Sequence, residues 1–392
     1  MMVEKWTIAA VFLMLPFAFI TPGLIWKSQQ LFFLILPLFI VAASLRNRWI
    51  KVFLFYAGAW QIFLFLYAFN RPGANPGPAL GYLLSIMAGA IVFKFVSEGK
   101  LEKEKWFRII RIAIIMQVAI SISQFLGFNP IAWILSQFIQ VRQLTPTHLV
   151  GSIGNRNYLA AFVAFSIPMF IYWKQLNIFG WRMGAFLPFV AFMLIVCPSP
   201  GTVAAILGVT FYAAYSRTQS PGGIIPCLLI ALIGAAGFTA VYVLYTGNHL
   251  NEFQALPGQL SQFFSQGKVD FDVFQGDLGR IGMWLMALGH LISSVPGMIF
   301  GFGPGAFWGR EYPLHSEYMA VWFYYGLIGL FLMLGYLWST WKFLWKSKDI
   351  TLMTCFLIIF VEIGANHSFE IATTGMLGVI ILGLIERERG GS

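Results

Sequence analysis

Charge is what this chain has least of: 10% of its 392 residues are Asp, Glu, Lys or Arg, against about 25% in a soluble domain. With 59% hydrophobic residues and a mean hydropathy of +0.77, that scarcity excludes an ordinary water-soluble protein. Cysteine is scarce as well. Cys197, Cys227 and Cys355 sit at or inside apolar runs, with no CxxC and no metal-type spacing, which makes them core thiols rather than a disulfide framework or zinc site. There is no GxxxxGK[ST], no HExxH and no paired Cys/His, so no motif points to nucleotide hydrolysis or zinc chemistry. Alternation of apolar and polar residues over ~10-residue segments is missing too, which argues against a membrane β-barrel.

What is present is a succession of apolar runs, each near the ~20 residues a membrane-spanning helix needs. They cover roughly 6–25, 29–45, 50–70, 78–97, 106–127, 157–174, 184–198, 201–216, 223–246, 316–338, 350–363 and 371–385. This pattern predicts an all-α, polytopic membrane protein, a single integral domain over 1–392 with about twelve spans. The first run has no small-residue cleavage site after it and reads as a retained span rather than a signal peptide. The net charge of +10 raises nucleic acid as a partner, but the cations form no single patch. If the N-terminus is cytoplasmic, seven of the 25 Lys and Arg residues fall outside: Lys27, Arg71, Arg142, Arg156, Lys268, Arg280 and Arg310. The positive-inside rule therefore favours both termini in the cytoplasm. The same rule makes the apolar segment 281–300 a non-spanning outer helix, because a further span would put Lys342, Lys346 and Lys348 outside. It also divides the run around Pro198 and Pro200 into two spans, as proline pairs end helices.

Two outer loops are long, about 128–154 and about 247–315. The second opens with a polar stretch carrying Glu252, Asp270, Asp272 and Asp277, which belongs in water. All five histidines, His148, His249, His290, His315 and His367, fall on the outer side in this topology. Histidine is the side chain most readily poised to take a proton near neutral pH, so the asymmetry points to chemistry outside.

Three constellations stand out there. Arg280 precedes Met283, Trp284, Ala287, Leu288 and Leu291, an apolar face at helical spacing. A guanidinium at the start of such a helix can fork onto two phosphate oxygens, or simply snorkel to headgroups. Arg310 is a second cation, with Glu311 beside it as a local charge partner. His315 immediately precedes the run that starts at Ser316. A helix N-terminus disfavours imidazolium, which suits a general base for an acceptor hydroxyl; the alternative is an interfacial hydrogen-bonding residue. Third, Gly151-Ser-Ile-Gly-Asn155-Arg156-Asn157-Tyr158 puts amides and an arginine at an outer membrane edge, either for sugar hydroxyls or for helix capping.

GSIGNRNYLAAF (151–162) resembles the Gly…Gly-Asn-x-Asn-(Leu/Tyr)-Ala element of the O-antigen ligase and polymerase superfamily. GRIGMW, GFGPGAF and LHSEYMAVWFYYGLIGL resemble, in the same order, its large extracytoplasmic loop and following helix. The resemblance covers about 151–330 by motif, and the first third of the chain carries no matching element. It implies a metal-independent, cofactor-free inverting glycosyltransferase of the bacterial cytoplasmic membrane. The glycan donor would be an undecaprenyl diphosphate-linked glycan, with membrane lipids around it and no nucleic acid partner. The acceptor would be lipid A-core or a similar hydroxyl, making a ligase; polymerase and protein O-oligosaccharyltransferase are the alternatives. Arg280 matches the family arginine that holds the diphosphate and His315 the histidine of the reaction. Many members have Ser-Arg-Gly at the turn where this chain has Ser199-Pro200-Gly201. The resemblance therefore leaves Arg156, Arg142 or Arg310 to supply a second cation, with Asn155 and Asn157 as further substrate contacts; otherwise this chain handles its carrier differently or is inactive.

Twelve spans also suit a secondary transporter or flippase. Such proteins carry ionisable groups at mid-membrane and related halves, whereas here Glu362 and Lys94 lie near span ends and the halves look unlike each other.

Overall fold

A computed structural model describes residues 31–70, 77–130, 133, 156–171, 200–218, 278–304, 314, 316–365 and 372–391, with isolated positions at 225, 226, 229, 230, 232, 233 and 261. Every regular element among them is an α-helix. In chain order these are α1 (Leu31–Ser44), α2 (Arg48–Asn70), α3 (Gly77–Glu98), α4 (Lys103–Phe125), α5 (Arg156–Ile171), α6 (Pro200–Thr218), α7 (Leu278–Ser293), α8 (Val295–Phe300), α9 (Glu317–Ser347), α10 (Ile350–Ala365) and α11 (Ala372–Gly391). Nine of these fall on nine of the apolar runs. The runs 6–25 and 184–198 lie outside the described residues, and 223–246 is described only at its isolated positions. Among the described residues, two helices, α4 and α9, are long and apolar enough to cross a membrane, judged by length and composition.

Local chemistry sets the helix ends. Asn47 accepts hydrogen bonds at Oδ1 from the Trp49 and Ile50 amides, at 3.0 and 3.3 Å, and so opens α2. Asp349 accepts one from the Leu352 amide at 3.0 Å and opens α10. Ser316 opens α9 by accepting from the Met319 amide at 3.4 Å, with Glu317 in the first turn, where the helix dipole favours an acid. The far end of α9 closes on Lys348, in the left-handed region at φ 58°.

The segment 281–300 is not one helix. Ser294 divides it: its hydroxyl accepts from the Gly297 amide at 3.1 Å, and Pro296 stands in the first turn of α8. The 16 residues of α7 rise about 24 Å at 1.5 Å per residue, less than the ~30 Å of a bilayer's hydrocarbon core.

Packing centres on α5, in which every residue from Leu159 to Met169 is buried. It touches α4, α6, α10 and α11, and its low amphipathicity matches burial on all sides. At one end of the bundle the chain reversals meet. Asn47 donates to Glu386 at 3.0 Å, Lys103 pairs with Asp349 at 2.8 Å and with Glu388 at 3.7 Å, and Arg387 donates to the Leu101 carbonyl. Arg389 bridges Glu386 and the Ser339 carbonyl, at 3.0 and 2.8 Å. These groups come from the positions before α2, before α4 and before α10, from α9, and from the last turns of α11. The N-termini of α9 and α11 and the C-termini of α2, α4 and α10 are therefore at the opposite end.

Two expectations change. The run 316–338 is the front of a longer helix ending at Ser347, interrupted at Gly326, where φ is 65° and ψ −169°. Arg111, which stands inside the run 106–127 but counts with the cytoplasmic cations, lies in α4 with 1% of its surface exposed and Glu104 at 3.9 Å. Glu317 and Glu362 are buried too.

Candidate functional site

Gly326 sits in a backbone region that is essentially restricted to glycine, and its neighbours explain why. The Phe323 carbonyl accepts from the Phe302 amide at 2.8 Å and the Tyr324 carbonyl from the Gly303 amide at 3.0 Å. A Cβ at Gly326 would overlap the Ile299 carbonyl, and one at Gly301 would overlap that of Tyr324. The GFG of residues 301–303 is thus docked backbone to backbone on the break in α9. Its approach is fixed from α2 as well: Tyr56 Oη and Trp60 Nε1 both donate to the Phe300 carbonyl, at 2.8 and 3.0 Å. In this way the end of α8 gains acceptable partners for backbone groups that a helix terminus leaves open.

Toward the N-terminus of α9 from this dock lies the region the sequence singles out. Arg280 is the third residue of α7. Four residues on, Trp284 donates from Nε1 to the Leu314 carbonyl at 2.6 Å. Leu314 is fully buried in a cluster with Ala57 of α2, Ala287 and Leu291 of α7, and Ala320, Val321 and Phe323 of α9. Met283, Ala287 and Leu291 are buried, so the apolar face expected of the Arg280 helix exists; it is packed on α2 and α9 rather than laid bare on a membrane surface. On the other side of position 315, Ser316 caps α9 and its carbonyl accepts from the Ala320 amide at 2.8 Å. The helix that carries Arg280 is therefore tied directly to the residue before His315.

Arg156 and Asn157 are the first two residues of α5, and Pro200 is the first of α6. The two helices lie against each other. A Cβ at Gly201 would lie 2.8 Å from the Ala161 amide nitrogen, so the start of α6 rests on the first turns of α5. Position 200, where the resemblance expects an arginine, and Arg156 are accordingly at the same end of two touching helices. At the start of α9, against the last turns of α10, Tyr318 donates to the Phe360 carbonyl at 2.9 Å. His315, Arg310, Asn155 and Arg142 lie outside the described residues, as do Cys197 and Cys227; Cys355 is fully buried in α10.

Sequence patterns did not single out Trp284, Gly301, Gly303 and Gly326 for these contacts. The signal available was the GFGPG string itself, whose glycines permit close backbone approach. No protein-family model matches the chain, and no curated protein matches it.

Proposed function

We propose that the chain is a membrane glycosyltransferase of the O-antigen ligase type, with about twelve spans, both termini cytoplasmic and its site at the extracytoplasmic face. The observation that carries this is the Trp284 bond to Leu314, which joins the element bearing Arg280 to the segment bearing His315 at one end of the bundle. Apolar side chains turned outward, such as Phe63, Phe331 and Trp338 at 56, 65 and 59% exposure, suit lipid contact along the helices. The charged network at the opposite end groups residues from loops that the positive-inside rule assigns to the cytoplasm.

The chemistry follows from the donor. A sugar C1 bonded to a diphosphate already has a good leaving group, so the enzyme must stabilise charge more than supply protons. The acceptor oxygen forms a bond to C1 while the bond from C1 to the diphosphate oxygen breaks. The hydroxyl proton goes to the His315 imidazole, and the polyprenyl diphosphate leaves with its charge held by Arg280. Attack from the face opposite the leaving group inverts the anomeric centre. Arg156, the first residue of α5, is our candidate for the second cation, because the start of α6 at Gly201 packs on the first turns of that helix.

The test is reconstitution of the purified protein with a polyprenyl diphosphate-linked glycan and lipid A-core. Transfer without an ion gradient is the expected outcome; gradient-dependent movement of substrate with no covalent product would instead favour a transporter, the reading that buried Arg111 and Glu362 would suit. In cells, full-length glycan stranded on its carrier in a deletion strain distinguishes a ligase from a polymerase, whose loss leaves a single capped repeat.

A further inference from the structure

We infer that the seam between α2 and α9, at the end the positive-inside rule assigns to the cytoplasm, binds an anionic phospholipid of that leaflet. This binding requires that the chain sit in a bilayer, as proposed above, but not that it transfer a glycan. Trp49 closes the seam: a Cβ at Gly335 would lie 2.6 Å from its indole, and its ring meets that of Phe331 edge-on at 5.8 Å. A relay of hydrogen bonds also holds the joint. Asn47 and Arg389 both donate to Glu386 at 3.0 Å, and Arg389 donates to the Ser339 carbonyl at 2.8 Å. The start of α2 is therefore fixed at the level of Gly335 and Ser339 on α9.

Beside this joint each helix exposes an apolar stripe that ends in a cation. On α9, Phe331, Leu334 and Trp338 follow at helical spacing, 65, 43 and 59% exposed, and the exposed Lys342 continues the row. On α2, Val52 is 50% exposed one turn after the exposed Arg48. Both cations lie over indoles, Arg48 Cζ at 5.4 Å from the Trp49 ring centre and Lys342 Nζ at 5.2 Å from that of Trp338. Lys342 thus reaches back toward the level at which α2 begins, and the two charges flank one seam. Among the described residues, no carboxylate lies within 4.0 Å of either, whereas Lys103 and Arg389 at the same end are paired with acids. Two cations that lack acids, set above adjoining apolar stripes, match a lipid with its phosphate at the indole level and its acyl chains along Phe331 and Val52. A zwitterionic headgroup would bring its own ammonium into the same positive field, so net negative charge selects the occupant.

Native mass spectrometry of the purified full-length chain, titrated with phosphatidylglycerol or phosphatidylcholine in detergent, tests this. Phosphatidylglycerol should bind more tightly. Arg48→Gln combined with Lys342→Gln should weaken its binding by about tenfold or more, since each cation at a membrane surface contributes about fivefold, and should leave phosphatidylcholine binding unchanged. Lys100→Gln combined with Arg108→Gln removes equal charge from exposed positions on the α3–α4 side and should keep the wild-type affinity. Equal affinity for the two lipids overturns the inference, as does an equal loss in the control pair, which marks diffuse charge. Displacement of the lipid by inorganic phosphate at fixed ionic strength overturns it too, because the acyl chains then contribute nothing. A second readout needs no variant. In phosphatidylcholine vesicles doped with phosphatidylglycerol carrying a diazirine in one acyl chain, ultraviolet crosslinking should label the peptide with Phe331 and Leu334 ahead of exposed apolar residues elsewhere, such as Ile91 on α3. Even labelling of the two overturns the site. A wild-type protein that transfers no glycan would end the functional proposal and leave both lipid measurements decisive.

Discussion

At the scale of single residues, two substitutions separate charge from geometry. His315→Ala should abolish transfer in the reconstituted assay while the protein reaches the membrane in normal amount; product at the wild-type level from that variant would remove histidine as the base. Arg280→Lys retains the charge but not the two-pronged donor, and should lose most activity through kcat. Full activity there would mean a point charge suffices. Both positions stand out in sequence as polar groups in so apolar a chain; Arg280 lies in the first turn of α7, and residue 315 lies outside the described residues. Trp284 was legible only as one apolar position on a helix face. Tryptophan is abundant here, with 14 in the chain, and nothing in its spacing says which indole N–H meets a carbonyl thirty residues away.

At the scale of elements, helix existence followed from hydropathy, but interruptions did not. The GLIGL around Gly326 reads as an ordinary apolar helix, since one glycine costs about 1 kcal/mol in a helix interior and is tolerated for close packing. The break becomes visible only once residues 301–303 are seen against it. Gly326→Ala should therefore cost about 3 kcal/mol or more, from a backbone region that L residues rarely adopt together with overlap on the Ile299 carbonyl. Thermal unfolding in detergent measures it; a melting temperature equal to that of the wild type would show that α9 can run straight through. Ser294 is a contrary case. A serine followed by Val-Pro is a readable helix start, and the division of 281–300 into α7 and α8 follows that local signal over the apolar run.

At the scale of the whole molecule, the distribution of Lys and Arg predicts which loops share a side, and the network of Asn47, Lys103, Asp349, Glu386 and Arg389 gathers several of those loops at one end. Which helices touch was not legible, because apolar faces are interchangeable in sequence; α5 gives no hint that it, rather than α2, is the buried centre. Sidedness can be checked by cysteine labelling in a background with Cys197, Cys227 and Cys355 changed to alanine. Cysteines placed at Lys100 and Lys105 should resist a membrane-impermeant maleimide in intact cells, and those at Phe128 and Ser293 should react. The reverse pattern would put the candidate site in the cytoplasm, away from any acceptor on the outer face.

The docking of Phe302 on Phe323 has one more consequence. Gly303 is fastened by its amide to the Tyr324 carbonyl, and Leu314 by its carbonyl to the Trp284 indole. Whatever lies between them can change in length or sequence at little thermodynamic cost, because the closure of a longer loop grows only logarithmically with its size. Gly303 and Leu314 are thus two fixed anchor points, and a short insertion between them should leave the melting temperature in detergent nearly unchanged. A new acceptor preference could be acquired there by substitution or insertion while the spans beneath stay as they are.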